Sequence, residues 1–269
     1  MKNLCHRLVA SALVLSASVG VVSAQQGRSQ GRSRAAEAAG GVATSVDADG
    51  VPRFVVATDS RSGPLGATHE GAARWHVGRF ARALNVTPAD VAAASTVAVN
   101  TFQTGDVVVE MRQRFGGLDV VGGDVRVLMR GDHRLVAISG RPRSTSGAQT
   151  RFARSPQEAL AAALSAQFGT DVSAFSIASV ATARGEARFQ VAFGTSLQMP
   201  EAAPVRPVLY PVGGRLVAAY STDFYAGTVD ANDSAAYRYV IDANSGRVLE
   251  RRDLTVSEGR GHSRSSLSA

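Results

Sequence analysis

The sequence predicts an α+β protein of two small domains, each an antiparallel sheet with one main helix packed on it. Three observations lead to this prediction. Short runs of alternating apolar and polar residues are separated by Gly-rich turns, as in half-buried antiparallel strands. A capped helical pattern precedes such strands in each half of the chain. Between the halves, residues 141–154 are rich in Pro, Ser, Thr, Gly and Arg, which is typical of a linker.

The first 24 residues have the features of a secretory signal peptide. A cationic head containing Lys2 and Arg7 precedes an apolar run from Leu8 to Val22. Small residues at Val22 and Ala24 suit cleavage before residue 25. Because the apolar run is too short for a comfortable membrane span, we expect a secreted or periplasmic protein with no stable span after cleavage.

Composition excludes several classes of function. Cys5 is the only cysteine and lies ahead of the predicted cleavage point, so the mature chain has no disulfide and no thiolate metal site. The formal net charge is +7, and Lys2 is the only lysine. The arginines are interleaved with acidic residues rather than clustered with aromatic ones, which argues against a nucleic-acid partner.

The first domain is predicted over residues 50–150, after a flexible lead-in over 25–49 that has few large apolar groups to bury. A strand is expected over 51–57 and a helix over 68–84, capped by Thr68. The apolar stripe of that helix has helical spacing and consists of Ala73, Val77, Phe80 and Leu84. Thr87, Pro88 and Asp90 predict a second, short helix.

A three-stranded meander follows. Residues 107–115 alternate between apolar and charged side chains, and Gly116-Gly117 ends that strand. Gly122-Gly123 is predicted to be a second break before the alternating residues 125–129. A hairpin loop at 131–133 then leads into a strand over 135–139, so this segment forms a sheet that needs helical support to be stable.

This meander resembles the fungalysin/thermolysin propeptide (FTP) domain, which precedes secreted zinc metalloproteases. The resemblance lies in the string from Gln113 to Asp124, QRFGGLDVVGGD, and in the strand and turn that follow it. Gly-Gly stands where the family usually has Asn-Gly. The resemblance implies a surface that binds a protease. The residues predicted to form it are Gln113, Phe115, Gly116, Gly117, Val121, Gly122 and Gly123.

The second domain is predicted over residues 151–255. Ser155, Pro156 and Glu158 form a capping box with proline at the first helical position, and Gly169 closes the helix. Strands are expected over 176–183, 187–193, 205–211, 215–224, 237–241 and 247–251. Gly213-Gly214 and residues 242–246 are predicted to be hairpin turns, and 226–234 to be a loop.

The last hairpin resembles that of a PepSY-type module, through residues 240–249, VIDANSGRVL. In fungalysin-like precursors such a module follows the FTP domain. Residues 250–255, ERRDLT, resemble the segment that closes those propeptides, with Asp253 in place of asparagine. The chain departs from the family after Thr255, where residues 256–269 are predicted to be a disordered tail and contain no zinc-binding motif of a catalytic domain.

No catalytic or metal-binding motif is apparent, and no cofactor is predicted. His69-Glu70 lacks the second histidine of a His-Glu-x-x-His site, because position 73 is alanine. His69 is therefore read as a surface residue, His76 as half-buried and His133 as a solvated turn residue. Asp119 and Asp124 lie beside Gly-Gly pairs and are read as turn formers.

These observations favour a propeptide-type intramolecular chaperone and inhibitor of a secreted fungalysin-like zinc metalloendopeptidase. The expected partner is the catalytic domain of that protease, in the same chain or in another. Two alternatives remain open, a free-standing secreted inhibitor and an extracytoplasmic module that binds peptides at a sheet edge. An enzyme is not predicted.

Overall fold

A computed structural model describes residues 15–183, 185–192, 197–228 and 235–255. The chain is α+β and divides into two compact units. The first unit contains Met1–Thr150 and Leu209–Val217, and the second contains Arg151–Val208 and Ala218–Ala269. The second segment of the first unit is the tip of a long hairpin whose strands otherwise belong to the second unit.

The first unit is a six-stranded antiparallel sheet with helices on one face. Its strands lie in the order β1-β2-β6-β5-β4-β3. The strands are β1 Gly41–Val46, β2 Pro52–Ala57, β3 Ala94–Thr101, β4 Val107–Phe115, β5 Leu118–Met129 and β6 Leu135–Gly140. The helices are α1 Leu15–Ala38, α2 His69–Arg79, α3 Ala81–Leu84 and α4 Pro88–Ala92.

The predicted helix over 68–84 is confirmed, although it breaks at Phe80 into α2 and α3. Thr68 caps it by accepting a hydrogen bond from the Gly71 N–H, 3.2 Å away. All four residues of the predicted stripe are fully buried. They pack against the inward-facing side chains of β4, β5 and β6, so an aliphatic core joins the helices to one face of the sheet.

The prediction of a flexible lead-in over 25–49 was wrong. Helix α1 runs to Ala38, and strand β1 pairs with β2 through neighbours such as Val42 and Val56. Ala36 is fully buried in the core of the unit. The physical reason is that alanine is a good helix former and fits a close contact that a larger side chain would not. Few large apolar residues therefore sufficed to order this segment.

Gly122-Gly123 was also misread, because it does not break the chain into two strands. It lies inside β5, where Gly122 has a φ of 67° and the pairing between β4 and β5 is irregular. A glycine with positive φ lets the strand absorb extra residues as a bulge and then continue. The sequence pattern is the same for a bulge and for a turn.

The second unit is one helix and a larger antiparallel sheet in the order β7-β8-β10-β11-β12-β13, with short strand β9 beside β11. The helix is α5 Pro156–Phe168, followed by a 3-10 turn at Val172–Ala174. The strands are β7 Ser176–Ala183, β8 Glu186–Ala192, β9 Leu197–Gln198, β10 Ala203–Val212, β11 Arg215–Thr228, β12 Ala235–Asp242 and β13 Val248–Asp253.

The local features predicted for the second unit are confirmed at the helix and the hairpins. Ser155 and Glu158 form the capping box, and Gly169 ends the helix in the left-handed conformation. Gly213 and Gly214 have φ values of 56° and 79° in the turn between β10 and β11. The helix packs Leu160 and Leu164 on Phe189, Tyr220 and Tyr239 of the sheet.

Several predictions fall outside the described residues. These are residues 1–14 of the predicted signal peptide, residues 229–234 of the predicted loop, and the predicted tail over 256–269. Strand β11 extends to Thr228, so the chain is still in a strand where the loop was expected to begin. Within the described part of the chain, no helix combines the length and the apolar character needed to cross a membrane.

Candidate functional site

The candidate site is the face of the first unit's sheet that its helices leave uncovered, here called the open face. One row of apolar residues crosses five strands of this face, because each residue pairs with the next. The row consists of Val42, Val56, Ala137, Leu128 and Val108. Val42 and Val56 are 44% and 37% exposed, and Phe54 beside them is 38% exposed. Cross-strand apolar pairs that stay in contact with water are suited to binding another protein.

A ladder of ion pairs lies next to the apolar row. Arg126 lies 3.4 Å from Glu110, and Arg112 lies 3.0 Å from Asp124. At the end of the ladder, Arg114 lies 3.0 Å from Asp119. A hydrogen bond from Arg112 to Asp124 raises the pKa of this arginine. Exposed pairs of this kind contribute little to stability, so the ladder gives the open face its charge pattern without being needed for folding.

The turn between β4 and β5 forms the end of the open face. Gly116 and Gly117 have φ values of 57° and 81° and are exposed. These angles match a tight turn that favours glycine at both positions. Phe115 is half-buried and packs on a small cluster that includes Val120 and Leu216. Of the residues predicted to bind a protease, Phe115, Gly116 and Gly117 therefore come together at an accessible turn.

Gln113 and Gly123 are both buried, and their part in a binding surface stays a prediction. The Gln113 amide donates to the Arg143 carbonyl at 2.7 Å and accepts from the Arg143 N–H at 2.6 Å. The side-chain amide pairs both backbone polar groups of Arg143, which explains why glutamine lies inside. At Gly123, an added Cβ would lie 2.9 Å from the Gln113 Cβ, so this glycine makes room for the glutamine.

Val121 and Gly122 complete the set of predicted site residues. Val121 is half-buried and Gly122 is exposed. The Gly122 carbonyl accepts a hydrogen bond from Arg143 Nε, 3.3 Å away. Both are near Gly123 in the bulged part of β5, and their part in binding stays a prediction.

The structure also brings together three histidines that sequence spacing did not connect. His76 is fully buried, not half-buried as expected. Its Nε2 donates to the His133 carbonyl at 2.8 Å, and its Nδ1 accepts from Arg79 at 3.3 Å. The hydrogen-bond partners thus assign the proton to Nε2. Burial lowers the pKa of His76, an effect that the nearby positive charge of Arg79 reinforces and the hydrogen bond to His133 opposes.

His133 was expected to be a solvated turn residue, but its ring contacts the ring of His69. His69 Nδ1 and His133 Nε2 are 2.9 Å apart, so one nitrogen donates to the other. His133 lies in the hairpin loop with a φ of 64°. Among the described residues, no three His, Cys, Asp or Glu side chains are grouped so that they could hold a metal ion. His69 and His133 are 64 residues apart, and only the fold makes them neighbours. No sequence feature could therefore have predicted the contact.

Comparisons with known proteins concern the same part of the chain. A family model described as the Fungalysin/Thermolysin Propeptide Motif matches residues 96–142, which run from β3 to the end of β6. This match confirms the propeptide part of the resemblance, and the motif is a propeptide motif rather than a catalytic one. A search of curated proteins finds no match. The resemblance of the second unit to a PepSY module stays a prediction.

Among solved structures, the C-terminal domain of Bacillus megaterium YpeB is similar to this chain. The two share 11% sequence identity over 76% of this chain and 73% of that chain, with a TM-score of 0.28. A likeness at this score carries no argument about function.

Proposed function

We propose that the chain is a propeptide-type chaperone and inhibitor of a secreted fungalysin-like zinc metalloendopeptidase. The observation that carries the proposal is the propeptide motif over residues 96–142, which coincides with the strands that form most of the open face. A propeptide that binds the folded protease, and not the unfolded one, stabilises the folded state by mass action. The same binding covers the substrate cleft and inhibits the enzyme.

The open face has the properties that such binding requires. Burying its apolar row against a partner would remove apolar surface from water, which favours binding. Its ladder of charges supplies complementarity that excludes wrong partners. The turn at Gly116-Gly117 is narrow, because neither residue has a side chain, and it suits entry into a cleft. Secretion, through the predicted signal peptide, would place the chain where such proteases act.

Enzyme inhibition and assisted refolding together test this function. A thermolysin-type and a fungalysin-type zinc protease are each mixed with the full chain, and casein hydrolysis is followed. We expect inhibition at near-stoichiometric amounts of the chain for at least one enzyme. The same enzyme, denatured and then diluted, should regain more activity when the chain is present. The proposal fails if the chain alters neither hydrolysis nor refolding of either enzyme.

Substitutions localise the effect to the open face. Phe54→Asp with Val56→Asp places two charges in the apolar surface, and both wild-type side chains are partly exposed. We expect this double variant to lose inhibition and to keep its fold. The matched control is Val180→Asp with Val248→Asp in the second unit, where the valines are 56% and 40% exposed. Equal inhibition by the double variant and the control would show that the binding surface is not the open face.

Peptide capture at a sheet edge is the second candidate function, and strand β3 is the observation that favours it. Among the described strands β3 pairs only with β4, and Val97 on it is 56% exposed. A bulge interrupts the pairing between Thr96 and Ala98, however, and bulges commonly protect edges from further pairing. Binding of extended peptides without any effect on proteases would favour this second function.

A further inference from the structure

The first unit contains a cleft of about 880 Å³ that is strongly basic. Its lining includes six arginines and only two aspartates, Asp47 and Asp49. The arginines are Arg28, Arg32, Arg53, Arg141, Arg143 and Arg215. Helix α1, the turn between β1 and β2, the segment after β6 and the tip of the β10–β11 hairpin all contribute residues. The positive charge comes from distant parts of the sequence that folding brings together.

Arg141 lies at the buried floor of the cleft. It is 6% exposed, and its Nη2 lies 2.5 Å from Asp47 Oδ2. Its Nε has no hydrogen-bond partner among the described residues, although it is buried. A buried guanidinium N–H without a partner is costly and uncommon. The cleft therefore holds a donor that the described protein atoms leave unsatisfied.

Asp47 is the acidic side chain that contacts Arg141 among the described residues, and its carboxylate oxygens already have other partners. Its Oδ1 accepts from the backbone N–H groups of Asp49 and Val51, at 3.0 and 2.9 Å. Its Oδ2 faces both Arg141 and Arg143, the latter at 3.7 Å. Burial favours the neutral form of Asp47, but these hydrogen bonds and the charge of Arg141 together lower its pKa. One carboxylate, whose pKa is lowered, is thus set between two guanidinium groups.

The remaining arginines leave an excess of positive charge. Burial lowers the pKa of Arg143, and repulsion from Arg141 and Arg53 acts in the same direction, so the cationic groups are close enough to interact. Arg28, Arg53 and Arg215 are exposed and form no ion pair or hydrogen bond with another described side chain. Three unpaired arginines beside two that share a carboxylate are an arrangement that an added anion would stabilise.

We propose that this cleft binds a multivalent oxyanion, a ligand carrying two or more carboxylate or phosphate charges. The planar guanidinium group donates paired hydrogen bonds to carboxylate and phosphate oxygens, and arginine is the residue best suited to both. A cleft of about 880 Å³ has room for more than one such group. The cleft shares none of its lining residues with the apolar row or the ion-pair ladder of the open face, so either proposal can fail alone.

Isothermal titration of the full chain with three probes tests the site, at physiological salt. The probes are inorganic phosphate, citrate and a tetraglutamate peptide. We expect saturable binding of one equivalent of at least one probe. Binding of phosphate alone assigns a phosphate ligand, and binding of citrate or tetraglutamate without phosphate assigns a carboxylate ligand. Failure of all three probes to bind saturably overturns the proposal.

Two double variants distinguish specific binding in the cleft from general attraction of anions to a basic protein. Arg53→Ala with Arg215→Ala removes two exposed cleft arginines and should weaken binding about tenfold or more, the change that follows from losing about 1.4 kcal/mol. Arg82→Ala with Arg151→Ala removes the same charge from exposed positions outside the cleft. The control should bind within about twofold of wild type. Equal weakening in both variants overturns the proposal, and Trp75 fluorescence verifies that the first unit, which contains the cleft, is folded in each variant.

Discussion

The two units begin a helix with the same device but place it in different surroundings. In the first unit Thr87, Pro88 and Asp90 form a capping box, and in the second Ser155, Pro156 and Glu158 do so. Glu158 is exposed, and among the described residues its carboxylate accepts hydrogen bonds from the capping serine and lies 3.9 Å from Arg154. Asp90 is buried, and its second oxygen also accepts from the N–H and hydroxyl of Thr145, at 2.9 and 2.7 Å. The same local motif is thus a surface cap in one unit and a tertiary tie in the other.

The interiors of the two units also differ in how many buried polar side chains they contain. The first core is made of Val, Ala, Met, Leu and Ile side chains with Phe80 as its aromatic residue, and buried polar side chains hold the surrounding loops. These polar residues are His76, Asp90, Gln113 and Arg141. The second core is aromatic, and the rings of Phe224 and Tyr239 stack with centroids 5.7 Å apart. Its described residues include Thr222 as the buried polar side chain. Hydrogen bonds from buried polar side chains hold a loop in one conformation, but losing any one partner leaves the others unsatisfied and costly.

The largest difference should come from removing the acid of each capping box. Asp90→Ala leaves four donors of Thr87 and Thr145 without their acceptor, two of them backbone N–H groups. We expect the free energy of unfolding to fall by about 3 kcal/mol, because buried donors left unpaired are costly. Thermal unfolding followed by the fluorescence of Trp75, the only tryptophan, measures the effect in the first unit.

Glu158→Ala is the matched control in the second unit. Its carboxylate is exposed, so water replaces the lost acceptor and the decrease in stability should be much smaller than for Asp90→Ala. Similar decreases for the two variants would contradict the distinction between a tie and a surface cap.

Mild acid should affect the first unit more than the second. The pKa of His76 is lower in the folded chain than its ordinary value of 6.5, because the buried ring is held neutral. As the pH falls through 6.5, the unfolded chain therefore binds a proton before the folded chain does, and the free energy of unfolding decreases. This stabilisation is fully present above 6.5 and is lost progressively down to the folded pKa.

Denaturant titrations between about pH 7.5 and 5.5 measure this effect, in a range where most carboxylates stay ionised. Trp75 reports the first unit, and the near-ultraviolet circular dichroism of tyrosine reports mainly the second, whose described residues contain no histidine. His76→Gln should flatten the dependence seen at Trp75. An unchanged slope in that variant would assign the pH dependence to other groups.

The smallest expected difference concerns ion pairs on the two sheets. In the second unit Arg238 donates to both oxygens of Asp223, at 2.7 and 2.8 Å. In the first unit Arg112 makes one bond to Asp124, and both side chains are at least half exposed. Arg238→Gln should lower the free energy of unfolding by about 1 kcal/mol and Arg112→Gln by less than about 0.5 kcal/mol. A larger loss for Arg112→Gln, measured by chemical denaturation, would give the ladder on the open face a structural role.

The fold was largely predictable because its information is local. Alternation in β4 and helical spacing in α2 each report which side chains meet the core, and both are visible within a dozen residues. Capping boxes and the Gly213-Gly214 turn are also decided by neighbouring residues. The same local reasoning failed for α1, where alanine supplies both helix propensity and close packing, and for Gly122-Gly123, where a bulge and a turn share one sequence pattern.

The candidate site was less predictable because its important contacts are distant in sequence. Gln113 looks like an exposed polar residue at the end of a strand, and only the position of Arg143 makes it an interior one. His76 acquires its partner from residue 133, and the arginine cleft gathers residues from positions 28 to 215. Local alternation identifies the face of a side chain but not the loop that will cover it.

Helix α1 has a practical consequence for anyone shortening this chain. A version starting at residue 50 would lose Ala36 from the core and strand β1 from the side of β2. Strand β2 would then present a bare row of N–H and C=O groups flanked by Phe54 and Val56, which is a template for self-association. Proteolytic trimming that removes strand β1 would have the same result.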